Sequence, residues 1–403
     1  MKLAPLDMKL ATRIRRQLKR DTADLVDFAT AMVRIPTENP PGKSYARCAD
    51  LIASRLRQLG LTTRLIDPSG SAPSVVGVFG AGERALYFSG HYDVVPAQHQ
   101  GQFAPEVRKG ILHGRGAADM KGGIAAMAFA IHALDKVGFE PAGRIVSMSV
   151  PDEETSGPGG TVALAAAGFV ERDAVGMLTM EPTGGVVWNA NRGVISLRIT
   201  VKGKPAHVGL HFRGANAFRG MLDVAGKLAE IEARIAQRRT AFNIKPDAAR
   251  RSVLLLGGEL AGGHNFNVVP DRASFTVDRR TNPEEDFDLE RDRLLEVVEK
   301  VRAPGLKFTV EVLQEGRSST TSVKSALARS LGSSIRRVTG KAERFELCPG
   351  VLETRHYAAL GIPALAYGPG LLSVSHGSHE FVSVQRLVEC AEVYALAAAR
   401  LLA

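Results

Sequence analysis

Residues 85–93 read ALYFSGHYD, residues 114–134 read GRGAADMKGGIAAMAFAIHAL, and residues 144–154 read RIVSMSVPDEE. The first and third are short apolar runs that end beside His91 and Asp93, or beside Asp152, Glu153 and Glu154. The second carries Ile124, Met127, Ile131 and Leu134 at helical spacing, predicting a helix over about 121–137. Strand, helix and strand, with the reactive side chains just past the strand ends, predict an α/β sheet covered by helices. In such sheets ligands bind outside the carboxyl ends of the strands.

The same alternation extends outward. Toward the N-terminus, residues 21–34 have helical spacing and 36–42 form a break. Tyr45, Cys48, Ile52, Leu56 and Leu59 then predict an amphipathic helix ended by Gly60, followed by strands at 62–66 and 74–79. Toward the C-terminus a strand is expected at 174–179, and the texture changes near Gly193. Strands at 195–201, 252–256, 274–279 and 307–313, with helices around 216–235 and 284–301, give the order of a split βαβ sandwich. From Ser322 the first pattern resumes, with a helix to about Val338, a strand at 363–367 and an Ala/Leu-rich helix to the end. The expectation is an α/β protein whose mixed-sheet domain, with helices on both faces, comprises 1–192 and 314–403. A smaller α+β insertion of ferredoxin-like order interrupts it at 193–313.

Composition narrows the function classes. With 403 residues, 45% hydrophobic and 23% charged, the chain reads as two ordinary globular domains. No apolar run approaches the roughly 18 residues of a membrane span. The basic first twenty residues lack the apolar core of a secretory signal, and Arg15-Arg16 is followed by a charged stretch, so cytoplasmic residence is expected. Cys48, Cys348 and Cys390 form no CxxC pair, which argues against disulfides and against thiolate ligands, so a metal must use His and carboxylates. A net charge of +10 raises the question of nucleic acid, yet only 6% of residues are aromatic and no stacking array is visible. The charge suits a field that draws in small anions, with no nucleic-acid or membrane partner expected.

Five elements fall where predicted strands end: His91-Tyr-Asp93, Asp119 before its helix, Asp152-Glu153-Glu154, Glu181-Pro182, and His376 beyond 363–367. Each alone has a plain reading: a loop imidazole, a helix cap, a solvated acidic edge, a turn. Together on one rim they crowd carboxylates that cannot all stay ionised without a compensating cation. A metal pair supplies it.

The ordered series His-x-Asp, Gly-Arg-Gly-x-x-Asp-Met-Lys-Gly-Gly, Asp-Glu-Glu, Glu-Pro and His-x-x-x-Glu resembles the M20 metallopeptidase/deacylase family from about residue 21 onward. That family includes succinyl-diaminopimelate desuccinylase, acetylornithine deacetylase, aminoacylase and glutamate carboxypeptidase. The resemblance implies two divalent ions, zinc first, with cobalt or manganese as substitutes. His91 and Glu181 would hold one ion, Glu154 and His376 the other, and Asp119 would bridge them. Glu153 would be the general base for the water activated by the pair, and Asp93 would orient the His91 ring. His379 competes with His376, but only His376 stands four residues before a Glu, as the family pattern asks.

The insertion would serve as lid and dimerisation domain of a homodimer, closing over the metal domain. In it, Lys202-Gly-Lys-Pro-Ala-His207 resembles the family's oxyanion-stabilising His motif, against the plain reading of a loop His. By the same resemblance Asn267 and Arg280 would bind substrate carboxylate or polar groups; an Arg280–Asp278 pair across the sheet is the plainer alternative. The segment from Gly350 to His356 resembles a desuccinylase carboxylate-binding segment, implicating Gly350 and Arg355. Glu353 stands there in place of Asp, and Val351-Leu352 replace small hydroxyl residues, which predicts a more apolar wall and a bulkier group than succinyl. The expected activity is hydrolysis of an N-acyl amino acid amide by metal-activated hydroxide, on a substrate with its own carboxylate. A carboxypeptidase or dipeptidase on the same site is the alternative, and an inactive ligand-binding protein the remote one.

Overall fold

The computed structural model describes residues 3–5 and 7–403; part of the basic leader (Met1, Lys2 and Leu6) lies outside the described residues. Two compact units emerge. The larger comprises the chain up to Asn189 together with Thr321–Glu346 and His356–Ala403, and the smaller comprises Ala190–Thr320 and Leu347–Arg355.

In its first segment the larger unit has helices α1 (Met8–Arg20), α2 (Thr22–Val33), α3 (Tyr45–Gln58), α4 (Gly122–Lys136) and α5 (Gly160–Ala166). Its strands are β1 (Thr62–Ile66), β2 (Ser74–Gly80), β3 (Ala85–His91), β4 (Glu106–Arg108), β5 (Ile111–His113), β6 (Arg144–Val150), β7 (Gly176–Thr179) and β8 (Val187–Asn191), the last running into the junction. The smaller unit follows as β9 (Gly193–Lys202), α6 (Ala217–Ile235), β10 (Val253–Gly262), β11 (Arg272–Thr281), α7 (Phe287–Lys300) and β12 (Lys307–Gly316). After the short β13 (Ser319–Thr320), the chain adds α8 (Ala326–Thr339), β14 (Phe345–Cys348), α9 (Thr354–Ala359), β15 (Ala364–Ala366), β16 (Phe381–Ser383) and α10 (Val384–Leu401).

The main sheet runs β1-β2-β6-β3-β7-β15-β8. Its middle strands β6, β3, β7 and β15 are parallel, whereas β2 and β8 join antiparallel. Strand periodicity divides these apolar residues between two cores. Leu86, Phe88, Ile145 and Leu178 face α4, α8 and α10, while Ala85, Tyr87, Val146 and Met177 face Leu164 of α5 and Tyr357. Helices therefore cover both faces of a mixed sheet, as the sequence predicts.

Four neighbouring parallel strands end on the same edge, and that edge carries His91, Asp152–Glu154, Glu181 and, beyond β15, His376. Close approach there needs glycine. A Cβ on Gly368 would stand 2.2 Å from the Met180 carbonyl oxygen and 2.3 Å from that of Glu181.

The smaller unit is a four-stranded antiparallel sheet of order β10-β11-β9-β12. Leu197, Ile199, Phe275 and Val277 on one face pack against Val224 and Leu228 of α6 and Leu294 and Val298 of α7. The Asn216 and Asp286 side chains cap these helices, accepting from the N–H groups of Arg219 and Leu289.

Two expectations differ in detail. The units part at 189/190 and 320/321 instead of 192/193 and 313/314, and 347–355 pack with the smaller unit. Only Arg192 separates β8 from β9, so no turn residues mark that junction. The basic leader, to which the sequence reading gave no structure, forms α1, which buries Ala11, Ile14 and Leu18 against α4 and α10. Among the described residues no helix is long and apolar enough to cross a membrane.

Candidate metal centre

His91 ends β3 and is only 2% exposed. Its Nε2 lies 3.2 Å from Oδ1 of Asp119 and 3.9 Å from Oε2 of Glu153. On the other side of the ring, Nδ1 lies 3.1 Å from the backbone oxygen of Asp93 and 3.4 Å from its Oδ1. The second imidazole, His376, has Nε2 3.4 Å from Oδ2 of Asp119 and 3.2 Å from Oε2 of Glu154. Asp119 thus turns one oxygen to each ring.

The donor atoms form two groups, His91–Asp119–Glu181 and Asp119–Glu154–His376, each lying within 4.8 Å of one another. They share Asp119, the arrangement a pair of ions bridged by one carboxylate requires.

Polar bonds fix the loops that carry these donors. The Asp93 carboxylate accepts from the Glu154 backbone N–H at 3.1 Å and from Nδ2 of Asn39 at 2.9 Å. Asn39 Nδ2 also reaches Oδ1 of Asp152 at 3.2 Å, and Oδ2 of Asp152 accepts from Gly159 N at 3.1 Å. Glu153 therefore sits between two anchored neighbours. Asp119 belongs to the turn Ala117–Lys121, with φ −129° and ψ 94°, so it does not form the first turn of α4.

The electrostatics test whether a metal fits. Asp93, Asp119, Glu153, Glu154 and Glu181 gather about His91 and His376. Burial pulls the His91 imidazole down, but its bonds to Asp119 and Asp93 outweigh this and raise it well above the ordinary range. Asp119 and Glu154 push His376 up to about 10. Burial acts to raise Asp119, yet the two imidazoles hold it below the usual carboxylate range. Glu154, facing only one of them closely, is raised by its burial. The protein alone would recruit protons to these imidazoles as countercharge. Divalent ions supply more positive charge and leave the rings neutral, and nitrogen and oxygen donors of this kind suit zinc-type ions. The residues fit a dinuclear centre.

The structure brings together His91, Asp93, Asp119, Glu153, Glu154, Glu181 and His376. His379 is exposed and belongs to neither donor group.

The remaining expected residues all lie in the smaller unit. His207 is exposed, pairs with Val268 in a β-bridge, and accepts from Gly209 N at Nδ1. Asn267 lies alongside, its carbonyl accepting from Val208 N at 2.9 Å. The Arg280 fork is engaged by Asp278, at 2.6 and 3.0 Å, along the same strand and not across the sheet. Arg355 gives Nη1 to the Leu352 carbonyl at 2.8 Å, and the Gly350 carbonyl accepts from Arg192 N at 3.1 Å. Leu352 is buried, 4% exposed, which leaves Val351 as the one apolar side chain of that pair able to form a pocket wall. Sequence reasoning missed Asn39, which it read only as part of a break; a polar residue inside the run from Pro36 to Gly42 was the available signal.

A family model described as peptidase family M20/M25/M40 matches residues 87–400. Among curated proteins, the "Probable succinyl-diaminopimelate desuccinylase" of Staphylococcus aureus (strain MSSA476) is 31% identical over 238 residues, covering 53% of this chain and 58% of that protein. The chain thus matches little more than half the length of that relative. An M20 family metallo-carboxypeptidase from Sulfolobus solfataricus superposes with a TM-score of 0.76 at 16% identity, covering 94% of this chain and 99% of its own. A dinuclear metal binding peptidase of the M20 family from Bacillus subtilis superposes with a TM-score of 0.70 at 16% identity, covering 95% and 99%. At these identities the structural likeness is one of fold.

Elemental analysis tests the shared carboxylate. The wild-type protein is expected to hold about two divalent ions per chain. His376→Ala should retain about one, and Asp119→Ala less than one; two ions kept by Asp119→Ala would exclude a bridging role.

Proposed function

Because the chain belongs to peptidase family M20/M25/M40, we propose that it hydrolyses the amide bond of an N-acyl amino acid with a dinuclear metal centre. The observation that carries this reading is the pair of donor groups sharing Asp119, with Glu153 next in sequence to one ligand and 3.9 Å from another. His91 and Glu181 would hold one ion and Glu154 and His376 the second, with Asp119 common to both donor groups. Zinc is the proposed metal, cobalt or manganese the substitutes. When bound, the pair polarises the scissile carbonyl and brings the pKa of a water near neutrality.

The chain's own residues do the rest. Glu153 takes the proton from the attacking water and returns it to the leaving amine. Asp152, tied to Asn39 and Gly159, and Glu154, tied to Asp93, hold the backbone on either side of it. Asp93 keeps Nδ1 of His91 engaged, which leaves Nε2 facing Asp119, where it would serve as a metal ligand. In neutral His207, Nδ1 accepts a hydrogen bond, so the ring proton resides on Nε2, a donor suited to a tetrahedral oxyanion. For the substrate carboxylate, Arg355 is the favoured group, with Asn267 and Gly350 contributing polar contacts. Arg280 serves only if substrate displaces Asp278 from its bidentate pair.

We propose further that the protein is a cytoplasmic homodimer joined through the smaller unit, with neither nucleic acid nor membrane as partner. β10 is an edge strand of its sheet and exposes Leu255 (54%) and Leu260 (70%), apolar side chains on an unpaired edge.

A panel of N-acetyl and N-succinyl amino acids and dipeptides, given to zinc- or cobalt-loaded protein, separates deacylase from dipeptidase. An acylated amino acid is expected to be turned over with at least tenfold higher kcat/KM than any dipeptide. The reverse order would make the protein a dipeptidase, and no turnover of either class would leave an inactive binder. Glu153→Ala should lower kcat by about 10²–10⁴-fold while keeping both ions; unchanged kcat would remove Glu153 from the mechanism. In sedimentation, Leu255→Lys with Leu260→Lys should convert a dimer to monomer, and an unaltered dimer would place the interface elsewhere.

A further inference from the structure

Glu380 is not among the residues of either donor group, yet its side chain is wholly buried. Oε1 accepts from the backbone N–H of Ala118 at 2.9 Å and of Asp119 at 3.0 Å. Oε2 takes Nη1 of Arg115 at 2.6 Å, and Nη2 of that same guanidinium donates to the backbone oxygen of His376 at 3.2 Å. Arg115 is itself 1% exposed and stands four residues before Asp119; Glu380 stands four residues after His376. Each partner therefore holds the segment that carries the other's neighbouring ligand. The two segments are also joined by the Gly114 N–H to the Glu380 carbonyl at 3.0 Å, and Gln102 Nε2 holds the Gly377 carbonyl at 2.9 Å.

The two segments meet the pair differently. At Asp119 the peptide N–H groups of 118 and 119 both point to Glu380, which fixes the turn that carries the ligand. His376 has a φ of 64°, in the left-handed region that non-glycine residues seldom adopt, so external contacts must hold it there.

We propose that Arg115 and Glu380 are a positioning pair that sets the separation of Asp119 from His376. The pair thereby sets the affinity of the ion held with Glu154. The proposal rests on the ligand assignment above and adds to it the device that enforces its geometry. A buried ion pair kept only for folding is the competing account, and the near-neutral contribution of many such pairs to stability weighs against it.

Stepwise zinc affinity, measured by calorimetry against a competing chelator, distinguishes the two, with circular dichroism as the check on folding. Glu380→Gln keeps the shape but turns an amide toward Arg115. Arg115→Lys keeps the charge but loses the second arm to His376. Each is expected to weaken one of the two zinc steps by about 10–100-fold, the usual scale for a group that orients a metal ligand, and the other by less than threefold. Activity of both variants should return at saturating zinc, which a merely structural lesion would not allow. If wild type binds two ions and neither variant shifts either step, the positioning role is overturned while the metal centre stands. If wild type binds fewer than two, the ligand assignment itself fails and the proposal falls with it.

Discussion

Parallel strands deliver all their carboxyl ends to one edge, about 4.8 Å apart, and here that geometry makes an electrostatic problem. β6, β3 and β7 are neighbours, so the acidic run after β6, His91 at the end of β3 and Glu181 after β7 must meet whatever else the chain does. Two carboxylates ~5 Å apart in an effective dielectric of about 20 repel by about 3 kcal/mol, and several such pairs accumulate at this rim. Divalent charge at the strand ends resolves the conflict. The surrounding architecture can be understood as holding the donors at the distances this charge requires.

That holding is done by buried side chains, neutral and charged, that bond to the backbone of the loops carrying the donors. Asn39 joins Asp93 to Asp152, and Asp93 in turn accepts from the peptide of Glu154, so one amide side chain links three loops. Gly368 lets the loop after β15 pass against the carbonyls of Met180 and Glu181, where any side chain would collide. Lys121, fully buried, spends its ammonium on the carbonyls of Met32 and Ile35 and thereby ties the turn after Asp119 to α2 and the loop that follows it.

The sheet and the gathering of acidic and imidazole residues on its rim were legible because both rest on local signals, whereas the division of ligand roles came from the family resemblance. Runs such as 85–89 and 144–150 are apolar with reactive residues directly after them, and Ile124, Met127, Ile131 and Leu134 declare a helical face. Signals that depend on distant partners were not legible. Ala11, Ile14 and Leu18 have helical spacing, but they are diluted by seven Lys and Arg residues in the first twenty, and α4 and α10 give α1 a place to bury them. The junction at Arg192 carries no turn chemistry because β8 passes almost directly into β9. Arg280 was read as a substrate group or as one half of a cross-sheet pair. Residues two apart on a strand share a face, so Asp278 was the partner within reach.

β15, contributed after the whole of the smaller unit, lies between β7 and β8, which were both made before it. During synthesis the nascent chain therefore exposes a gap beside β7 until residue 366 has left the ribosome, and the β7 edge is open to non-native pairing throughout that interval. A protein so wired completes its principal sheet only after the smaller unit has been synthesised. Loss of residues 384–401 would remove α10, the helix whose Ala- and Leu-rich surface closes over the finished sheet, and leave that apolar face exposed to aggregation.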